Sequence, residues 1–561
     1  MAEYSSPSVS RAFATAYLAA EAGARAFFES DFRDATARVT RTRAAATRRI
    51  DPALLAVLRA QQAALASSAA RAANLEALAT GGTAVVVTGQ QVGLFLGPLY
   101  GLYKAAVAVA VARALEAEAG VRCVPLFWLQ TEDHDHVEIA SATVADRHGV
   151  PARLSLAAEP PSEARVSVAH RCLGPEVGSL LDQLADLLPP GPAADETMAL
   201  LRAHYVAGRP LAAAFAGVLG TLFADHGLLV FDPRQPAVAA LAAPLYRQAL
   251  RGAADIERTL VARGRELEIA GFAQQIPVRE RCALVFFHSG DARGPRYRLQ
   301  HDGAPGDGGC VWALAGAGET VSAQTLEQTL DTDPLRLSTS ALLRPIVQDA
   351  LLPTAAYVGG PGELNYLAQL APVYRHFDVT PALAVPRARF RCSVARTRRW
   401  LAELGLTADE VALPERELHA RMAERTVVDP ATSGGAPAVT PAALRARVSG
   451  VLLPAVDELI AAVVAAEPQL GRAAERTRGS VTHALGRLVD RYTHAVVERD
   501  TVSRDRLARV RAALAPDGVP QERAYSWPSL AARIGPAAFT SLVMESLSTD
   551  PFATALRELA P

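Results

Sequence analysis

Thr131-Glu132-Asp133-His134-Asp135-His136-Val137-Glu138 places four carboxylates and two imidazoles within eight residues. In an extended segment His134 and His136 share a side, whereas in a helix His134 and Glu138 share a face. Either arrangement could supply general acids and bases, hold ribose hydroxyls or ligate a cation. The spacing matches no standard metal-ligand pattern, so no metal site is expected. A second stretch has a different chemistry. From Thr88, Gly89, Gln90 and Gln91 through Gly93, Gly97, Pro98 and Tyr100 to Lys104, a β-branched run breaks at glycines and restarts as a helix. Glycines let the backbone approach a ligand, a helix N-terminus attracts negative charge, and Lys104 adds an ammonium, so a phosphate or carboxylate site is expected. An ordinary strand-to-helix turn with a solvated lysine fits the same pattern.

Three further groups could serve one cleft. Gly359, Gly360 and Gly362 precede a helix start, where free amides could meet an anion and Glu363 could hold an amine. Arg344, Gln348 and Asp349 lie within one or two helical turns and could present a polar face to it. Arg387, Arg389 and Arg391 alternate, which in an extended segment puts three guanidinium groups on one side, suited to phosphates or simply to an exposed edge.

The elements that must position these residues are those of a parallel sheet. Ala84 to Val87 leads into a helix from Pro98 to Ala119 with Gly120 as its cap, and Val121 to Leu129 leads into the acidic, histidine-bearing segment. The sheet signal returns at Ala355 to Glu363 after an interrupted region between about Asp146 and Asp333, which reads as an insertion holding strands at Gly227–Phe231 and Ala283–Phe287. Helices are expected before Leu78 and again after Arg396. Val481, Leu485, Leu488, Tyr492 and Ala495 are spaced as a coiled-coil seam that Leu507, Val510 and Leu514 resume after a phase shift. The expected division is 1–145 for N-terminal helices and the first part of the core, 146–333 for the insertion, 334–395 for the rest of the core, 396–515 for a helical coiled-coil domain and 516–561 for a tail on the core.

With 561 residues, half of them apolar, the chain is long enough for about three or four domains. Its 57 basic and 58 acidic residues leave a net charge of −1, so no global field draws it to nucleic acid or to an anionic membrane. The five cysteines are scattered without a CxxC pair, as in a reducing cytoplasm. No signal-peptide pattern or membrane span is read from the sequence, and no Walker A, nucleophile elbow, HExxH, kinase or strand-linked GxGxxG motif is present.

Taken in order, these residues resemble the BshC family, the cysteine-adding enzymes of bacillithiol biosynthesis. The resemblance rests on Thr88-Gly89-Gln90-Gln91, Leu94-Phe95, Gly97-Pro98, Tyr100, Tyr103-Lys104, Phe127-Trp128 and Glu132-Asp133-His134-Asp135. It continues through Arg344-Pro345, Gln348-Asp349, Leu352-Pro353-Thr354, Tyr357, Gly359-Gly360-Pro361, Glu363 and Val385-Pro386-Arg387. It runs over nearly the whole chain and is weakest in the insertion and the C-terminal helices. It implies an α/β fold: a Rossmann-like parallel-sheet core related to class I aminoacyl-tRNA synthetases and nucleotidyltransferases, with inserted segments and a C-terminal α-helical coiled coil supporting a homodimer. It also implies attachment of L-cysteine to glucosaminyl malate, for which ATP with Mg is the expected activator. Lys104, the loop amides and Arg387 would face the polyphosphate, Asp133 or Asp135 the cysteine ammonium or a ribose, and His134 or His136 the proton of the attacking amine. Two other readings stand beside it: another amide-forming enzyme on the same core, and a non-catalytic nucleotide-binding dimer that scaffolds other enzymes.

Overall fold

The computed structural model describes residues 12–160, 165–301, 311–428 and 439–561. The strands that position the site are β1 (Thr83–Gln90), β2 (Arg122–Leu129), β3 (Leu229–Phe231), β4 (Cys282–His288), β5 (Arg296–His301), β6 (Val311–Leu314), β7 (Glu319–Ser322), β8 (Leu337–Thr339), β9 (Thr354–Gly359) and β10 (Leu383–Pro386). A parallel sheet has the order β10-β9-β1-β2-β3, and an antiparallel sheet the order β8-β4-β5-β6-β7. β1 is the central strand: Val87 lies opposite Leu126 on one side and Tyr357 on the other.

β1 is buried on both faces, as a Val-rich parallel strand must be when helices cover it on two sides. Helix α1 (Tyr100–Ala119) follows it and ends at Gly120 in the left-handed region. The expectation of one apolar face understates α1, since every residue from Gly101 to Ala112 is buried. The helix lies against β1 and β2 and is also packed by helices Ala35–Ala46 and Pro536–Leu547, which explains its run of Ala and Val with no polar stripe. The two other helices of the site are α2 (Arg344–Leu351) and α3 (Pro361–His376).

The chain divides into two compact units. One holds the residues up to Arg147, Ala152–Phe390 and Tyr525–Leu559, and the other is mainly Arg391–Ala524. Leu229–Phe231, placed in the insertion by the sequence reading, is the outer strand of the parallel sheet itself, paired with β2. The rest of the insertion is mostly helical, and its later strands form the antiparallel sheet.

The second unit is helical. Its small core gathers Leu401, Val411, Leu418, Val497, Leu507, Val510 and Leu514. The helix Gly471–Arg499, α5, buries Val489, Thr493, Val496 and Val497, a face different from the expected seam: Leu488 is 64% exposed, Ala495 is exposed, and Val481, Leu485 and Tyr492 are half-buried. The apparent phase shift is a helix break at Asp500, after which Leu507, Val510 and Leu514 pack from a separate helix, Thr501–Leu514. Before α5, Pro441–Ala466 forms a nearly continuous helical run whose final segment is α4 (Leu453–Ala466). Contrary to the expectation of no span, this run is long and apolar enough by length and composition to cross a membrane, and its most apolar stretch has no buried residue within the chain. Asp457 on α4 is bonded by Arg478 on α5 at 2.5 and 3.1 Å.

Candidate functional site

In the parallel sheet the connection from β1 runs to β2 on one side, whereas the chain returns to β9 on the other. This reversal opens a crevice at the C-terminal ends of β1 and β9, the usual ligand position in open α/β sheets. Gln90 and Gln91 line one wall, Gly359 and Gly360 the other, and the end of β2 extends the edge with Thr131 to His136. Side-chain contacts join the segments. Gln91 Nε2 donates to Asp133 Oδ2 at 2.7 Å, and Lys104 on α1 pairs with Glu363 on α3.

Lys104 is 3% exposed, and its three donors are all engaged, by Glu363, by the Gly89 carbonyl at 2.7 Å and by Gln90 Oε1 at 2.9 Å. It lies in the second turn of the helix. The free phosphate-binding ammonium expected from sequence is therefore a strut that fixes the end of β1. Glu363 also accepts from the Gly360 amide at 2.8 Å and from the Tyr357 hydroxyl. Although burial opposes it, Lys104 holds the Glu363 carboxyl below the ordinary carboxylate range.

The loop after β1 departs from the expected anion cradle in the same way. Phe95 and Leu96 adopt positive φ of 51° and 69°, followed by Gly97 at 62°. Gly93 and Gly97 are so close that a Cβ on Gly93 would lie 2.8 Å from the Gly97 Cα. The Gly93 amide donates to Gln91 O, Gly97 to Leu94 O and Leu99 to Tyr525 O, while the Leu96 amide donates to the Tyr205 hydroxyl at 3.1 Å. Tyr205 is buried, with its ring 5.1 Å from that of Phe95. These amides are thus spent within the fold. Tyr205→Phe is expected to cost about 1–3 kcal/mol by leaving a buried amide unpaired, read as a lower unfolding temperature and faster proteolysis within residues 92–98.

Thr88 is also internal, its hydroxyl donating to Val358 O. Tyr100 receives a bond from Gln90 Nε2 at 3.3 Å. Arg344, Gln348 and Asp349 on α2 form no open polar face. Arg344 donates to Gln348 at 2.8 Å, to Tyr357 at 3.1 Å and to Tyr366 at 2.9 Å; Gln348 donates to Asp349, which also accepts from Tyr374 at 2.8 Å. Burial pushes the Asp349 carboxyl up. The chain from Lys104 through Glu363, Tyr357 and Arg344 to Asp349 is one buried network behind the crevice. Arg387 is buried at the end of β10, with its guanidinium 5.8 Å from the Tyr100 ring. Arg389 is exposed, and Arg391, in the second unit, bonds Asp409 there.

The acidic segment is a tightly held loop ending in the short helix His136–Ile139, which Asp135 caps by accepting from the Glu138 amide. Residues 167–169 clamp it: Ser167 Oγ donates to Thr131 O, Ala169 N to Thr131 O and Val168 N to Asp133 O at 2.5, 3.0 and 2.7 Å. Thr131 donates to Asp232 at the end of β3, and Glu132 accepts from Thr339 at the end of β8. His134 Nδ1 lies 3.1 Å from Arg296 Nη1, and His136 Nε2 lies 3.2 Å from the Ala157 carbonyl. Sequence reasoning missed Arg296, Tyr205, Thr339 and the clamp of residues 167–169. The acidic turn after Leu229–Phe231 carried a signal for Asp232, whereas nothing local marks an arginine on an inserted strand as a partner of His134.

The fold and this crevice define a Rossmann-like α/β protein with a small-molecule site at the switch point of its parallel sheet. The family model described as the N-terminal Rossmann-like domain of BshC, of bacillithiol biosynthesis, matches residues 2–388. A relative from Solibacter usitatus is 31% identical over 474 residues, covering 84% of this chain and 83% of its own. Relatives from Koribacter versatilis, 32% identical over 82% and 81% of the two chains, and from Salinibacter ruber, 31% identical over 89% and 87%, are similar; all three carry the name "putative cysteine ligase BshC". The chain belongs to the BshC family.

Proposed function

We propose that the protein is a ligase that joins the carboxyl of L-cysteine to the amine of glucosaminyl malate, the amide-forming step of bacillithiol biosynthesis. The reading is carried by family membership over a region whose separate strand-end segments meet in one crevice, through Gln91–Asp133 and Lys104–Glu363. The strand order supports kinship with class I aminoacyl-tRNA synthetases and nucleotidyltransferases, as does the switch-point location.

A carboxylate does not condense with an amine in water without activation, and ATP is the proposed co-substrate. The β1–α1 loop and Lys104 do not fit a polyphosphate, because the loop's Gly93, Leu96, Gly97 and Leu99 amides and the ammonium's donors are spent inside the fold. The remaining candidates are the N-terminus of α3 beyond Gly359-Gly360 and Arg387 at the end of β10. No group of three or more His, Cys, Asp or Glu side chains suited to a metal ion exists among the described residues. In this proposal Mg is carried to the site by the nucleotide's own oxygens. Asp133, fixed by Gln91, is the carboxylate placed to meet the cysteine ammonium. Incubation of purified protein with cysteine, glucosaminyl malate and Mg-ATP should yield the amide product together with AMP or ADP, read by mass spectrometry. The absence of both product and nucleotide cleavage would sink the proposal.

The protein is further proposed to be a homodimer built through the second unit, in keeping with a reducing, cytoplasmic setting. The apolar run Pro441–Ala466 and the exposed Leu488 leave a hydrophobic surface that water does not favour. The Asp457–Arg478 pair within the hairpin suits a protein interface better than hydrocarbon. Sedimentation should show a dimer for the native chain and a monomer for Leu459→Glu/Leu488→Glu with unchanged helix content.

A further inference from the structure

We infer that His134 meets the substrate only as a hydrogen-bond donor, through Nε2–H, with Arg296 as the residue that positions it. The inference rests on the amide-forming reading of the crevice and assigns the donor to one named atom.

A guanidinium is a donor with no acceptor, so Arg296 Nη1 at 3.1 Å makes His134 Nδ1 the acceptor and leaves the ring proton on Nε2. Arg296 is not free to turn away. It is 5% exposed, its Nε donates to Ser338 Oγ at 3.0 Å and its Nη2 to Thr339 O at 2.5 Å, and it lies 3.8 Å over the Phe286 ring. Ser338 is held in turn by His288, an imidazole that burial keeps neutral by lowering its pKa to about 2. His134 sits at the mouth of this buried stack with 31% of its side chain exposed. His136 differs: its Nε2 donates to the Ala157 carbonyl and its Nδ1 is enclosed by the surrounding chain, so neither ring nitrogen is left open to a substrate.

The charges around His134 reinforce this. Burial and the Arg296 charge pull its pKa below the ordinary value, Arg165 adds to Arg296, and Asp133 and Asp135 act against them. In the reaction, the amine nitrogen forms a bond to the activated cysteine carbonyl carbon. The carbon–oxygen bond to the leaving phosphate or adenylate breaks and takes its electron pair with it. The oxyanion formed in between is held by His134 Nε2–H, and the proton lost by the attacking nitrogen leaves to water.

The test uses the full chain labelled with ¹⁵N-histidine, with the two rings assigned by signals lost in His134→Gln and His136→Gln. The expected spectrum shows His134 as the neutral Nε2–H form, titrating below the ordinary value near 6.5. In Arg296→Met, with burial still acting but the guanidinium gone, it should titrate higher than in the native chain. In product formation, His134→Gln, whose amide nitrogen takes the place of Nε2, should stay within about tenfold of the native chain. His134→Asn and His134→Ala should lose about a hundredfold or more, the size of an oxyanion-donor deletion. A native His134 that titrates normally overturns the inference, whether or not Arg296→Met folds and whether or not the chain proves to be a ligase. So does a His134→Gln variant as inactive as His134→Ala in a chain whose native form makes the product.

Discussion

Lys104→Met should lower the stability of the first unit by about 3–5 kcal/mol, the cost of leaving a buried charge without its partner. The residue left behind is Glu363, 14% exposed and bonded otherwise, among the described residues, to the Gly360 amide and the Tyr357 hydroxyl. The Gly89 carbonyl and the Gln90 side chain also lose their donor. Glu363→Gln alone should cost less, because the amide keeps its size and can still accept from Gly360. The informative variant is the double one. With charge removed from both positions, Lys104→Met/Glu363→Gln should be clearly more stable than the sum of the two single losses predicts. Apparent unfolding temperatures at one scan rate provide the measurement, and strictly additive losses would show that the pair is not coupled. Acid should weaken the same contact. Since Glu363 is held below its unfolded value, its stabilising contribution is complete above the ordinary carboxylate range and is lost as the pH falls through the depressed value.

Gly93→Ala should reduce product formation by about a hundredfold or more, while Gly97→Ala leaves it within a few-fold. The two changes add the same methyl group to the same loop, but the geometry differs. At Gly93 the new carbon meets the Gly97 Cα at 2.8 Å, a backbone atom that cannot swing aside, so the turn must open and carry Gln90 and Gln91 with it. A displacement of about 1 Å at reacting groups is enough for a hundredfold loss. At Gly97 the new carbon meets Gly93 at 3.4 Å, and the main penalty is about 1–3 kcal/mol of stability for a side chain at φ 62° and ψ −158°. Equal activity of the two variants would refute the argument that close backbone approach, rather than left-handed conformation, fixes the loop.

Much of the fold was legible because the relevant signals are local. The Val-rich run of β1, the helix ending at Gly120, and the strand, glycine turn and helix at Tyr357 to Glu363 each declare themselves within a few residues. The Rossmann-like core followed from their alternation. The chemistry was less legible because a side chain's partners are not written beside it. Lys104 looks like a free cation until Glu363, some 260 residues away, is seen against it. Glycine-rich amides look available until Tyr205 and Tyr525 are seen to accept from two of them. His134 looks like a base until Arg296 is placed at its Nδ1. In the second unit, the seam from Val481 to Ala495 has the right spacing but not the buried face, since the packing that selects Val489, Val496 and Val497 comes from other helices.

The bond from the Leu99 amide to the Tyr525 carbonyl, with Pro98 and Ser526 bridged beside it, also bears on how the protein is made. The loop opening the crevice is among the first parts of the core to leave the ribosome, yet the segment that fastens it is synthesised after the whole helical unit. Until then the β1–α1 connection must wait unfastened, with part of α1's apolar surface uncovered by helix Pro536–Leu547. A nascent chain stopped anywhere before residue 525 can hold every residue of the crevice and still lack the contact that closes it, so the order of synthesis delays a finished site until the helical unit has been made.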